Sequence, residues 1–264
     1  MVRIVPIVLA VLALAGSARA EERAFCPDRP GKGSPPCVLD KWRFQVEVSA
    51  ADALFSRGGG VSVDDVSYGA LELRLGLANT VEGQLTWTPR QWIRARDHGA
   101  ASTVSGAGDL GLALRWSLNN PDGEGLSVAL QPFVVAPTGA NGISAEVWQG
   151  GVIAPISVPI SEVWSLSLAP EIDARANASG SGRHAAYALA AGVGRAVGPV
   201  NLGAELWVDV DDDPSGRATK ASFDLTAAWT PTALKDIQLD AGAYLGLNRK
   251  TPDLELVVGV AHRF

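Results

Sequence analysis

LELVVGVAHRF (Leu254–Phe264) is the stretch on which the fold turns. Leu254, Leu256, Val258 and Val260 alternate with Glu255, Gly259, Ala261 and Arg263. A period of two is the signature of a strand with one apolar face. The run closes on Phe264 with no polar tail after it. Such an ending has a reason if this strand must pair with the first strand of a closed sheet, because a frayed tail would interrupt the seam.

The same alternation runs upstream. Leu71, Leu73, Leu75 and Leu77 oppose Glu72, Arg74 and Gly76, and Val81, Gly83, Leu85 and Trp87 oppose Glu82, Gln84 and Thr86. Leu110 to Leu118, Trp164 to Ile172 and Phe223 to Trp229 repeat the pattern. Twelve runs emerge, at 42–51, 67–78, 81–89, 108–118, 126–136, 147–157, 163–173, 185–197, 200–209, 219–230, 237–247 and 254–264. Each is near the length that a tilted membrane strand needs. Short connections follow the even strands. Mostly longer polar ones follow the odd strands, at 56–66, 90–107, 138–146, 174–184 and 210–218. Turns alternating with loops predict an all-β, transmembrane, antiparallel up-and-down barrel of about twelve strands over 42–264. An even strand number puts both ends in the periplasm.

The tryptophans favour this barrel over a soluble sandwich. With the strands traced up and down, Trp42, Trp116, Trp164 and Trp229 fall at periplasmic ends of the apolar face. Trp87, Trp148, Tyr187 and Phe223 fall at its opposite ends. Two aromatic belts separated by Leu, Val and Ala match two bilayer interfaces. The second face carries the ionisable groups. Glu47, Glu72, Arg74, Glu82, Arg115, Glu205, Asp224, Asp240, Glu255 and Arg263 are the candidate lumen-lining residues. Two readings of them stand side by side: ion pairs that plug the barrel, or a solute path whose acids favour cations or accept a hydrogen bond from a phenol-like hydroxyl.

The first twenty residues, MVRIVPIVLAVLALAGSARA, hold a basic start, an apolar middle and the A-x-A site Ala18–Ala20, and read as a signal peptide over 1–20. Residues 21–41 form an N-terminal segment containing Cys26 and Cys37. In an exported chain this pair reads as a disulfide closing PDRPGKGSPP. The chain carries net charge −6 with no Lys/Arg cluster, so nucleic acid is not an expected partner. After residue 20 no stretch of eighteen apolar residues appears, which excludes membrane-spanning helices. Phe264, ending an alternating strand, resembles the C-terminal signal that barrel assembly machinery reads. Expected surroundings are outer-membrane lipid and lipopolysaccharide.

Four further stretches, SGAGDLGLALRWSL, VVAPTGANG, LAPEID and LDAGAYLGLNRKTPDLELVVGVAHRF, resemble the outer-membrane transporter family of the meta-pathway of phenol degradation. The family's G-x-G-D with a later basic residue corresponds to Gly106, Gly108, Asp109 and Arg115, and its P-T-G to Pro137, Thr138 and Gly139. Its closing hairpin corresponds to Asp240, Gly242, Gly246, Leu247, Asn248, Pro252, Asp253, Gly259, Arg263 and Phe264. The resemblance implies an outer-membrane location and passage of small aromatic or other hydrophobic solutes. The cysteine pair is not part of the family pattern.

Three motifs invite other chemistry. Gly106 to Gly111 spells G-x-G-x-x-G, but a strand pattern follows it where a nucleotide fingerprint needs a helix. Asp209, Asp211 and Asp213 occupy the first, third and fifth places of a calcium loop, yet Pro214 replaces its glycine and Lys220 its last glutamate. What remains is a surface calcium site bridging lipopolysaccharide phosphates, or a solvated acidic loop tip; otherwise no metal and no cofactor is expected. Ser179 or Ser181 near His184 suggests a hydrolase pair, without an acid or a nucleophile signature. The sequence therefore points to a non-enzymatic barrel for passive solute transport. The alternatives are a non-transporting structural or adhesion barrel and an outer-membrane hydrolase.

Overall fold

In the computed structural model, described over residues 22–264, the chain forms sixteen strand segments and no helix among the described residues. They are β1 (Phe44–Gly58), β2 (Val61–Tyr68), β3 (Ala70–Ala78), β4 (Val81–Trp87), β5 (Arg90–Asp97), β6 (Ala100–Gly106), β7 (Leu110–Asn119), β8 (Ser127–Ala136), β9 (Gln149–Ile153), β10 (Ile156–Pro159), β11 (Trp164–Ala176), β12 (Arg183–Val197), β13 (Val200–Asp211), β14 (Ala218–Trp229), β15 (Ile237–Gly246) and β16 (Leu254–Arg263). The signal-peptide reading of 1–20 lies outside the described residues.

Four barrel strands are each split in two: β2–β3, β4–β5, β6–β7 and β9–β10. Counted this way the sheet is a closed antiparallel barrel of twelve strands, sealed by β16 against β1 from Gln45↔Arg263 to Phe55↔Leu254. Phe264 N–H reaches the Phe44 carbonyl at 2.8 Å, so the seam runs to the last residue. Closure satisfies the backbone with no open edge in the lipid zone.

The splits have local causes. Pro89 and Pro155 lack an N–H for the ladder. Gly69 takes φ +66°, which side chains other than glycine rarely adopt. Gly69, Pro89 and Ala107–Asp109 lie on neighbouring strands, since Tyr68 pairs Arg90 and Gln91 pairs Gly106. Above this line, β2, β5, β6 and the upper half of β1 form a sheet that rises past the barrel. This corrects the expected loops at 56–66 and 90–107, which are largely strand. Both faces of β2 and β5 are half-buried and β6 is almost wholly exposed, so the apolar/polar contrast that marks a lipid-facing strand is missing there.

Burial separates the two faces. Arg74, Glu82 and Arg115 are 0% exposed, while Leu112 and Leu114 are 47% and 49% exposed. A soluble domain inverts this ordering. Trp42, Trp87, Trp116, Trp148, Trp164, Tyr187 and Trp229 are exposed in two rims, and Phe223 is half-buried. The exterior is thus greasy and the interior charged, as a lipid solvent requires.

The motifs Gly106–Asp109 and Pro137–Gly139 dock on each other at the outer end. The Asp109 carboxylate accepts from Gly139 N at 2.7 Å and Ala145 N at 3.0 Å, and Thr138 Oγ1 accepts from Leu110 N at 3.0 Å. Nothing larger than glycine fits at 139, where a Cβ would sit 2.9 Å from Asp109 Oδ1. Asp109 lies beyond the outer aromatic rim, because Gly111, two residues on, already pairs Thr86 beside Trp87. Partial burial pushes its carboxyl up, but the bonds from Ser144, Ala145, Gly139 and Thr138 together hold it below the usual 3.8. A lowered value favours docking at neutral pH. The contribution is complete above the ordinary aspartate range and is lost as pH falls through the depressed value. Asp109→Ala is expected to cost about 1–2 kcal/mol of local docking. The check is faster protease cleavage within 138–146 at pH 7, with the unsubstituted protein approaching the variant's rate only below pH ~4.

Candidate functional site

The site is the lumen and the segment inside it. Residues 22–41 contain too few apolar residues for a core of their own, and Pro and Gly dominate their middle. They enter from the periplasmic end, cross the barrel at Asp28–Ser34 and return to the rim at Lys41. Cys26 and Cys37 are bonded, with Cα atoms 6.6 Å apart, and close this strap at its neck.

The inward acids hold the strap by its backbone. Glu47 accepts from Asp28 N and Arg29 N at 3.0 Å each. Glu205 accepts from Lys32 N at 3.0 Å and Gly33 N at 3.1 Å, and Glu82 from Leu39 N at 2.8 Å. Carboxylates that each receive one or two amide hydrogens fix an irregular backbone where water is scarce. A Cβ at Gly33 would lie 2.9 Å from Glu205 Oε2, so a larger residue there would displace the carboxylate that holds the strap.

Side chains complete the attachment. Asp28 lies between Arg74, 2.7 Å away, and Arg115, with which it forms a bidentate pair. Arg74 also binds Glu82 at 2.9 Å and Glu47 at 3.1 Å, and Arg115 binds Gln131 at 2.7 Å and Glu82 at 3.2 Å. Arg29 reaches Asp240 at 2.9 Å and Ser49 at 2.8 Å. Lys32 reaches Ser222 at 3.0 Å, Glu255 at 3.3 Å and Asp224 at 3.8 Å, with its ammonium 4.6 Å from the ring centres of Trp207 and of Tyr244. The Tyr244 hydroxyl donates to the Pro30 carbonyl. Near the rim Arg263 binds Asp236 and the Arg23 carbonyl, the latter at 2.7 Å.

Of the ten lumen candidates, all but Glu72 therefore contact the strap. Glu47, Arg74, Glu82 and Arg115 also pair with one another across neighbouring strands, so these charges form ion pairs in the lumen and at the same time hold an inserted segment that the sequence readings did not include. Glu72 and Glu255 line a cavity of about 490 Å³ on the outer side of the strap. Asp52 and Glu171 join them, beside an inward apolar patch of Phe133, Val135, Ile153 and Val257. A second cavity, about 500 Å³, lies on the periplasmic side between the strap and β11–β14 and is lined by Ser165, Ser167, Thr226 and Gln238. Asp28–Gly31, Gly33 and Ser34 border both cavities, so the strap divides them.

Sequence reasoning missed several of these residues. Asp52 follows a bulge between Ser49 and Ala51 that reverses the parity of β1, so simple alternation points it outward. Phe133, Val135, Trp207 and Tyr244 are large and apolar, and stand outside the inward candidates, which are all ionisable. Their phase, shared with Gln131, Glu205 and Asp240, was the available signal. Glu171, Asp173 and Arg175 were legible in the same way, opposite Ile172.

The tempting motifs resolve. Gly106–Gly111 joins strand to strand, with no helix to receive a phosphate. Asp209 is withdrawn from the calcium triplet, because it lies one strand repeat deeper in β13 than Asp211, where Arg175 Nη1 binds it at 3.1 Å. The Ser179 hydroxyl donates to the Ser181 carbonyl, and His184 faces Asn177, Asp211 and Asp213, so no serine–histidine pair forms.

Residues 27–264 match the protein family described as "Putative MetA-pathway of phenol degradation". The chain belongs to this family. No curated protein sequence matches it. Among solved structures, an outer membrane channel from Pseudomonas putida F1 superposes with TM-score 0.69 at 17% identity, covering 89% of this chain and 99% of that one. The NanC porin gives TM-score 0.51 at 10% identity over 83% and 98% of the two chains. The β domain of the Bordetella autotransporter BrkA gives 0.51 at 15% over 85% and 100%. At these identities the likeness establishes the fold: a barrel of the outer-membrane type.

Proposed function

We propose that this family member is an outer-membrane channel for passive diffusion of small, hydrophobic or aromatic solutes, working without covalent chemistry. The observation that carries the reading is the outer cavity. Its volume suits a single-ring molecule, and it sets an apolar wall of Phe133, Val135, Ile153 and Val257 against the acids Asp52, Glu72, Glu171 and Glu255. That pairing suits an amphipathic guest: the ring desolvates on the apolar side while a hydroxyl or a cationic group meets a carboxylate. The strap below sets the narrowest point. The description of the family agrees with this guest class.

The test uses guests that do not cross lipid unaided. In liposomes holding the mature protein, a quaternary aromatic ammonium is expected to enter several times faster than an aromatic sulfonate of equal size. Substituting Glu72→Gln together with Glu171→Gln is expected to remove most of that preference. No flux of either probe above protein-free liposomes would sink the proposal and favour the structural or adhesion barrel.

A further inference from the structure

At the outer mouth, His184 opens β12, Asp211 ends β13, and Asp213 sits in the loop that follows. One ligand atom from each of the three lies within 4.8 Å of the others. Asp209, two residues before Asp211, takes no part in the group. Proximity alone would describe an acidic loop, but the histidine adds a separate observation. Its side chain is 5% exposed, and Nε2 has no hydrogen-bond partner although Asp211 Oδ1 is only 2.7 Å away.

The surrounding bonds fix which ring nitrogen carries the proton. Asn177 Nδ2 donates to the Ser181 carbonyl at 2.7 Å, so Asn177 Oδ1 is the atom that faces His184 Nδ1, at 2.9 Å. An amide oxygen only accepts, so Nδ1 carries the hydrogen. In the neutral ring Nε2 is then a bare lone pair against a carboxylate oxygen. Two acceptors at that distance repel unless a shared cation offsets them, and the contact lacks the geometry of an N–H···O bond. Asp213 is held near the ring independently: Ser215 N donates to its Oδ1 and Ala178 N to its Oδ2, each at 2.7 Å. Asp211 Oδ1 also accepts from Asp213 N at 3.1 Å, and Asp211 Oδ2 lies 3.7 Å from Arg175.

From this geometry we infer a binding site for a divalent transition-metal ion of the zinc class, formed by His184 Nε2 and Asp211, with Asp213, whose Oδ2 lies 3.5 Å from the ring on its Nδ1 side, swinging in as the third ligand. One imidazole and two carboxylates suit such an ion, whereas calcium takes oxygen ligands alone. Asn177 occupies the place of the outer partner that orients a metal-bound histidine through its other nitrogen. Because Asn177 and Ala178 belong to the β11–β12 loop and Asp213 to the β13–β14 loop, the ion would staple two neighbouring loops over the channel mouth.

The test is calorimetric titration of zinc chloride into the untagged mature barrel, stripped with chelator, in detergent micelles. One saturable site is expected. His184→Ala and the nearly isosteric Asp211→Asn should each weaken it about 100-fold or abolish it. His98→Ala, at an exposed turn of the same barrel end, should leave it unchanged. Retained heat-dependent mobility on gels separates lost ligation from lost folding, and Asp211→Asn keeps the test open should His184→Ala misassemble. Absence of zinc binding would overturn the site. Binding insensitive to both substitutions, or calcium bound as tightly as zinc, would overturn it equally.

Discussion

Deleting residues 22–40 is expected to raise single-channel conductance on the order of tenfold, because the strap is the wall between two cavities that otherwise merge into one wide lumen. The barrel should survive the deletion. Arg74–Glu82, Arg74–Glu47 and Arg115–Glu82 are contacts between wall residues and persist without the strap. Glu205 and Asp240 lose their strap donors, but water enters with the opening and solvates them. Selectivity should change as well. Seven of the ten inward candidates are acids and three are arginines, so a lumen without Arg29 and Lys32 should pass cations more freely. Planar-bilayer recording reads both effects, the second as a reversal-potential shift in a salt gradient. A Cys26→Ser/Cys37→Ser variant keeps every wall contact while freeing the neck, and should show frequent brief openings without the full conductance rise. Unchanged conductance after the deletion would mean that the strap does not define the constriction.

The second large effect concerns stability. Arg115→Met is expected to destabilise the barrel by about 3–5 kcal/mol, because it leaves Glu82 and Asp28 in a buried site with one guanidinium instead of two. The loss comes from the orphaned carboxylates more than from the missing attraction. Arg115→Met/Asp28→Asn should therefore recover part of it, which an additive pair of substitutions would not. Arg57→Ala provides the contrast. Arg57 pairs with Asp64 on the outer extension with half its side chain exposed, and its removal should cost no more than about 1 kcal/mol. Heat-dependent gel mobility or tryptophan fluorescence in urea ranks the variants. Equal stability of Arg115→Met and Arg57→Ala would mean that water reaches the Arg74–Arg115 cluster and that the lumen is wetter than its burial implies.

Alternation, the two aromatic belts and the turn–loop lengths together determined the fold class, because a barrel in lipid repeats one rule on every strand: apolar outward, polar inward. Closure itself is seen in the pairing of β16 with β1. Alternation also fixed the phase of the inward face. It located nine of the ten inward charges on faces that meet the strap, yet it was silent on what they meet. That silence has a physical cause. Period two fixes which way a side chain points and carries no information about a segment that threads the interior. Asp28, Arg29 and Lys32, the partners of those charges, sit in a Pro/Gly-rich stretch with no periodicity to read. The bulge beside Ala51 shows the same limit, since one extra residue reverses a strand's faces without altering its composition. Only the closed barrel brings Asp240 to Arg29, 211 residues apart, and only the pairing of β12 with β13 at the outer mouth sets His184 beside Asp211 and Asp213.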